Sequence, residues 1–377
     1  MHFLIGADMI PTKSNEKLFS EGNSRELVGD ELLDVIEHSS YRIFNLEVPL
    51  TDKEHPIKKS GPHLIAKTST VNGYKGLGID LLTLANNHIL DQGAEGLYST
   101  IQTLDEKKIN HVGAGTNVSE ACKPVAFIFA GKKVGVYACA EHEFSIADEY
   151  HPGANPFDPL WSFDHVEELK KTVDFVVVLY HGGKEHYRYP SPNLQKICRR
   201  LIDKGANLVI CQHSHCIGCE EKYRGGTIVY GQGNFLFDRG DNEFRNTGIL
   251  VSVDENFFVS YIPIVKNGNL VRKADHEASQ KILKEFAARS EKIKTKSFLD
   301  AEYTEFAKSL SEHYLNALAG KRSFLFRVIN KVTGGAYKRS YIKKTYDEKA
   351  LILIESCLDC EAHRELFLRE LKAKRGA

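Results

Sequence analysis

The stretch Leu81–Gly93 reads LLTLANNHILDQG. Its first five residues form an apolar run of the length expected for a buried strand. Asn86, Asn87, His88 and Asp91 follow at once, and helical spacing then runs over Glu95–Lys107. The unit reads strand, polar turn, helix. Open α/β sheets place their sites at the carboxyl ends of strands. A turn rich in Asn, His and Asp at that point therefore speaks to fold and chemistry together.

The same arrangement recurs along the chain. Asp8 follows a strand over Phe3–Ala7. Asn45 and Glu47 close a strand over Arg42–Leu46. His181 follows Phe175–Tyr180, and His213 and His215 follow Leu208–Cys211. Further strands are expected at His111–Gly113, Val125–Phe129, Val134–Ala138, Thr227–Tyr230, Gly248–Val253 and Phe257–Ile264, with hairpins over 125–138 and 248–264. Helices are expected at Ser24–Glu37, Thr70–Leu77, Asp164–Lys171 and Pro192–Lys204, the last signalled by an N-cap serine before an N1 proline. The alternation predicts an α/β layered fold with two mixed β-sheets flanked by helices. From about residue 275 Lys and Glu rise, Gly falls, and helices are expected over His276–Lys294, Asp300–Leu318, Ser323–Val332 and Asp347–Lys374. The division is thus a domain over 1–270 and a helical C-terminal extension over 275–377.

The chain has 377 residues, 42% of them apolar and 27% charged, which excludes wholesale disorder. Fifty basic residues balance fifty acidic ones, which argues against nucleic acid as the partner. No run approaches the roughly 20 apolar residues of a membrane-spanning helix. The opening MHFLIGADMI is broken by Asp8 and lacks a basic n-region, so a cytoplasmic chain is expected. Eight cysteines fit reduced thiols there, and the pairs Cys216/Cys219 and Cys357/Cys360 lie too far apart for one zinc knuckle.

Taken singly, an Asp or Asn at a strand end is a cap or turn former, and a lone His is a surface or satisfied core residue. His-x-His alone is weak, because both side chains face one way in any extended segment. Recurrence at five strand ends changes the balance. Carboxylate, imidazole and amide donors together suit Mn²⁺, Zn²⁺ or Fe²⁺. A carboxylate able to bridge would hold two such ions roughly 3.5–4 Å apart, the arrangement that activates water and clamps a phosphate.

Six segments in order, GAD, NLEVPLT, ANNHILDQG, HGGKEHYRYP, CQHSHCIGCEEKY and YGQGNFLFD, resemble the CapA family of poly-γ-glutamate and capsule biosynthesis proteins over residues 2–265. The resemblance implies a calcineurin-like metallophosphoesterase fold and two divalent metal ions. It implies that Asp8, Glu47 and His215 hold one ion, and that Glu47, Asn87, His181 and His213 hold the other. His88, with Asn87 and Asp91, takes the catalytic role, His88 as acid or phosphate contact. Glu185, Asn234 and Arg239 are expected near the substrate. The sequence departs from the wider metallophosphoesterase pattern at Ile10, where a ligand histidine is usual, so the first ion is expected to be short of one ligand. Glu47 stands where an Asp bridges in that pattern, and Ser214 where members often have Pro.

The resemblance implies a metal-dependent hydrolase or phosphoryl-transfer enzyme acting on a small-molecule or oligomeric surface-polymer precursor. The alternatives are formation or cleavage of an amide in a poly-γ-glutamate-like capsule, or a non-enzymatic assembly role. No GxxxxGK[ST] loop is present to activate an acyl group with nucleotide. Residues 321–344 carry eight basic residues, no acidic ones, and apolar residues among them. They read either as a solvated helix face or as a surface for a capsule-synthesis partner or the inner face of a membrane. The loop 238–246 offers Arg239 and Arg245 as anion binders, and His142 and Glu143 are expected to reach the site.

Overall fold

The structure is a computed structural model that describes residues 1–237, 243–295, 297–320 and 323–375. The chain divides into two compact units, Met1–Leu299 and Asp300–Ala377.

In chain order the strands of the first unit are β1 (His2–Met9), β2 (Tyr41–Leu46), β3 (Leu81–Thr83), β4 (Asn110–Val112), β5 (Ala114–Gly115), β6 (Val125–Phe129), β7 (Lys132–Ala140) and β8 (Gly153–Ala154). They continue with β9 (Phe175–His181), β10 (Leu208–Gln212), β11 (Glu220–Tyr223), β12 (Gly226–Tyr230), β13 (Asn234–Leu236), β14 (Thr247–Asp254), β15 (Val259–Asn267) and β16 (Leu270–Lys273). One sheet has the order β16-β15-β14-β1-β2-β3-β4, with β13 also pairing β1. Its β1–β4 half is parallel and its β14–β16 half antiparallel. The other sheet has the order β11-β12-β10-β9-β7-β6, parallel at its centre with an antiparallel strand at each edge. Both expected hairpins, β6–β7 and β14–β15, are present.

Strand alternation explains the layering. On β7, Val134, Val136 and Ala138 face a core shared with Phe3, Ile5 and Val251 of the first sheet, while Tyr137 and Cys139 face the other way. On β9, Val177 and Leu179 face the first sheet, and Val176, Val178 and Tyr180 face helices. A period of two with both sets apolar is the signature of a sheet covered on both faces. The helices Ser162–Lys170 and Pro192–Asp203 cover the second sheet with Val166, Leu169, Leu194, Cys198 and Leu201. The helices at 16–37, 71–76 and 93–106 add Phe19, Leu32, Ile36, Tyr74, Leu97 and Leu104 to the core of the first sheet. The sheets are stitched by Phe3, which meets Phe127, Phe129 and Phe175 edge-on with ring centroids 5.0–6.5 Å apart. Burial of each such side chain contributes about 1.5–3 kcal/mol.

Some elements differ from the sequence reading. Ser24–Glu37 is two helices, because Gly29 at φ +74° caps the end of one and opens the next. Asp347–Lys374 is likewise two helices, Glu348–Asp359 and Glu361–Arg375, broken at an extended Cys360. The basic run read as helical over 321–344 continues past Val332 in a second helix, Ala336–Thr345. The helix His276–Lys292 buries Ile282 and Phe286 in the first unit's core, so the chain divides after Leu299 rather than near 275. The Ser191–Pro192 signal is fulfilled, with Ser191 Oγ accepting from Leu194 N at 3.0 Å.

Candidate metal centre

The parallel strands of both sheets bring their carboxyl ends together. In the first sheet Asp8 on β1 stands in register with Asn45 on β2 and with Asn234 on β13. In the second, His181 on β9 is in register with Gln212 on β10. Close approach at the base of this cluster requires Gly6, where a Cβ would lie 1.9 Å from the Phe44 ring. Beyond β10 the His-x-His segment is not extended. His213 and His215 both adopt left-handed backbone, with φ of +85° and +53°. Such conformations cost on the order of 1–3 kcal/mol each and collect at functional sites. The two imidazoles are aimed by this turn, with ring centroids 5.9 Å apart, rather than by strand alternation.

Two ligand groups result. Donor atoms of Asp8, Glu47 and His215 lie within 4.8 Å of one another, and so do those of Glu47, His181 and His213. All five side chains are buried, and Glu47 belongs to both groups. The structure thus brings Asp8, Glu47, His181, His213 and His215 together in two groups that share Glu47. Asn87 joins the second group through its Oδ1, 3.1 Å from His181 Nε2. Ile10 is packed in the core, leaving the Asp8 group with three donors. Both Glu47 carboxylate oxygens and His213 Nδ1 are buried without a hydrogen-bond partner, and the imidazole nitrogens that face the carboxylates, His215 Nδ1 toward Asp8 Oδ2 and His181 Nε2 toward Glu47 Oε1, each stand off at 3.4 Å. Buried charge without partners is costly unless it is paired or coordinates a cation. The residues present therefore fit divalent metal binding.

The electrostatics show the same unmet demand. Burial, reinforced by Asp8, pushes Glu47 up to about 8. Burial also works to raise Asp8, but the hydrogen bond to His215 and the nearby imidazoles hold it below its ordinary value. Burial pushes His181 down to about 4 and lowers His213 as well. Burial works against charge on His215 too, yet Glu47 and Asp8 raise it to about 9. Where no cation is bound, Glu47 and His215 are the two groups of the cluster that keep their protons more tightly than usual.

A scaffold of amides orients the donors. Asn45 Nδ2 donates to Asp8 Oδ1 at 2.8 Å, and Asn86 Nδ2 donates to Asn45 Oδ1 at 3.1 Å. Asn234, expected near substrate, is buried and accepts through Oδ1 from His215 Nδ1 at 2.8 Å, the contact of a positioning residue. Glu185 is half-buried. Burial works to raise it, but His213, His215 and His186 hold it below the usual carboxylate range, which places it beside the cluster. Arg239 lies outside the described residues. Arg245 donates to His186 Nε2 at 3.3 Å, and the His186 ring lies 6.2 Å from that of His215. His142 and Glu143 are exposed.

His88 stands apart from the ligand groups. Its Nδ1 donates to Asp91 Oδ2 at 2.7 Å, and the same carboxylate oxygen accepts from Leu64 N at 2.7 Å. Lys59 pairs with the other oxygen of Asp91 and lies 3.3 Å from His88 Nδ1. Sequence reasoning missed Lys59, which sits in an irregular segment with no motif. It also missed Ser145, whose hydroxyl donates to the Asn87 carbonyl at 2.7 Å and accepts from Leu90 N at 3.3 Å, fixing the turn that carries Asn87 and His88.

Residues 3–239 match the family described as bacterial capsule synthesis protein PGA_cap. The chain belongs to that family. It is 32% identical over 224 residues to the capsule biosynthesis protein CapA of Bacillus anthracis, covering 57% of this chain and 54% of that protein. It is 30% identical over 224 residues to the PGA biosynthesis protein CapA of Bacillus subtilis (strain 168), covering 57% of this chain and 58% of that protein. The chain thus spans rather more than half the length of these relatives. Among solved structures, a phosphatase from Mycoplasma pneumoniae aligns with a TM-score of 0.46 at 14% identity, over 71% of this chain and 94% of its own. A 5'-nucleotidase precursor from Thermus thermophilus aligns with a TM-score of 0.41 at 15% identity, over 76% of this chain and 58% of its own. The PGA_cap match contains every ligand named above and ends before β14. Among the described residues no helix is long and apolar enough to cross a membrane.

Proposed function

We propose that this PGA_cap member is a metal-dependent hydrolase or phosphoryl-transfer enzyme of metallophosphoesterase type, acting on a phosphorylated precursor of a surface polymer. One observation carries the reading: Glu47 is shared by two buried ligand groups and has no hydrogen-bond partner for either carboxylate oxygen. Asp8, Glu47 and His215 would hold one divalent ion, and Glu47, Asn87, His181 and His213 the other. Bound there, the ions supply Lewis acidity and positive charge to a phosphoryl group.

The chain's own residues supply the rest. Asp91 accepts from His88 Nδ1–H and would stabilise a doubly protonated ring, whose Nε2–H is then the proton passed to a departing oxygen, leaving the neutral Nδ1–H imidazole. Ser145 holds the turn on which His88 rides. Asn234 and Asn45 hold His215 and Asp8 in their orientations. Glu185 feels the charges of His213 and His215, and Arg245 donates to His186, so both would be at hand for an anionic substrate.

The test is hydrolysis of an aryl phosphate, and of a panel of phosphoesters, by protein reconstituted with Mn²⁺. The expected result is metal-dependent turnover that falls by roughly 10²–10⁴ in the Asn87→Ala, His88→Ala double variant. Equal rates for parent and variant across the panel would refute the proposal. Consumption of an acyl phosphate only in the presence of an amine acceptor would point instead to amide formation at the same site.

A further inference from the structure

We propose that the helix Phe324–Val332 of the C-terminal unit is an interfacial anchor that lays an apolar strip onto an anionic lipid surface. The helix is a well-formed element, with Ser323 Oγ accepting from Phe326 N at 3.2 Å. At 100° per residue it has two apolar faces. One carries Phe326, which packs on Tyr337 and Tyr341 of the following helix, Ala336–Thr345, with ring centroids 5.1 and 5.5 Å away. That face is satisfied within the unit.

The other face is not. Phe324, Leu325, Val328 and Val332 fall within one arc of about 100° and are 74%, 66%, 40% and 81% exposed. Four large apolar side chains along one strip, all facing water, mark a surface that is covered in use. Arg327 and Lys331 border this arc on one side. Lys338, Arg339, Lys343 and Lys344 follow on the next helix, and no acidic residue occurs between 323 and 346. Among the described residues, only Lys338 of this basic set makes an ion pair with an acid of the same unit, Glu312 at 2.8 Å.

Charge selects the occupant. A second copy of this face would oppose cation to cation, which disfavours self-association through it. An anionic bilayer meets both requirements at once: its headgroups attract the Lys and Arg side chains, and its acyl boundary takes up the apolar strip. This inference rests on the C-terminal unit alone and is independent of the chemistry at the metal centre.

The experiment is sedimentation of the full chain with sucrose-loaded vesicles of phosphatidylcholine, with and without about one-third phosphatidylglycerol. The expected result is binding to the anionic vesicles that weakens as salt rises from about 0.1 to about 1 M. Leu325→Ser with Val328→Ser, both at exposed positions, should weaken that binding roughly tenfold while helical circular dichroism is unchanged. Lys343→Glu with Lys344→Glu should weaken it on anionic vesicles by a similar factor. Equal binding to neutral and anionic vesicles, no binding to either, or serine variants that bind like the parent would each overturn the proposal. A dimer that the serine pair dissociates, in a protein that ignores vesicles, would overturn it in favour of a second copy.

Discussion

Lys59 and Asp91 form an ion pair out of reach of solvent, with side chains 3% and 0% exposed, directly behind His88. A buried pair of this kind is an uncertain source of net stability, but loss of one partner strands the other as an uncompensated charge. Its value here lies in geometry. Asp91 is held by Lys59 on one oxygen and by Leu64 N and His88 on the other, so the imidazole has one orientation and one tautomer.

Lys59→Met should therefore destabilise the fold by about 3–5 kcal/mol, read as a lowered urea midpoint. Lys59→Met with Asp91→Asn should recover part of that loss, because no charge is then left alone. The single Asp91→Asn protein should retain substrate KM and lose kcat, since it misorients His88 without touching the ligand groups. A double variant no more stable than Lys59→Met alone would show that the pair does not act as a unit.

The two ligand groups are unequal. The Glu47, His181 and His213 group gains Asn87, whereas the Asp8 group has a core isoleucine where a further donor could stand. Calorimetric titration of metal-free protein with Mn²⁺ should show two classes of site. Asp8→Ala should remove the weaker class, and His213→Ala the tighter. A single class of two equivalent sites would contradict this assignment.

How much of this was legible in the sequence follows from what each residue does. Asp8, Glu47, Asn87, His181, His213 and His215 were visible because they recur at the ends of readable strands and fall in segments that resemble the family; singly, an Asp or Asn there reads as an ordinary cap. Lys59 and Ser145 were invisible because they reach the site from irregular segments, where position is set by tertiary packing alone. The left-handed turn at His213 and His215 was also hidden, since local preference favours extended backbone after a strand and only the assembled cluster compensates the strain. The same limit applies to Cys360, an extended break that neither Gly nor Pro announces. Asn234 was found for its motif, but its contact with His215 appears only when β13 is laid beside β1.

That contact gives a further expectation. Asn234→Ala removes the acceptor for His215 Nδ1 while leaving all direct donors in place. Loss of such an orienting partner typically costs about 10–100-fold in metal affinity. The loss should fall on the weaker class of site, with the His213-containing class unaffected. Equal loss at both would mean that Asn234 supports the fold of the turn rather than the aim of one imidazole.

The last expectation concerns pH. In the metal-free fold Glu47 is raised to about 8 and His215 to about 9, both above their unfolded values. Each therefore binds its proton more tightly when folded, and the stability it contributes is lost as pH rises through the folded value. His181 and His213 are lowered, so their contributions run the other way, but those are complete once pH passes the ordinary histidine value. Of these four groups only Glu47 and His215 remain in play between about pH 6.5 and pH 9, and metal-free protein should lose stability across that window. Divalent ions replace those protons, so saturating Mn²⁺ should flatten the profile, and binding near pH 7 should release protons measurable as a buffer-dependent heat. Metal-free protein whose melting temperature is constant or rises across the window would show that Glu47 and His215 do not keep their protons more tightly in the folded state.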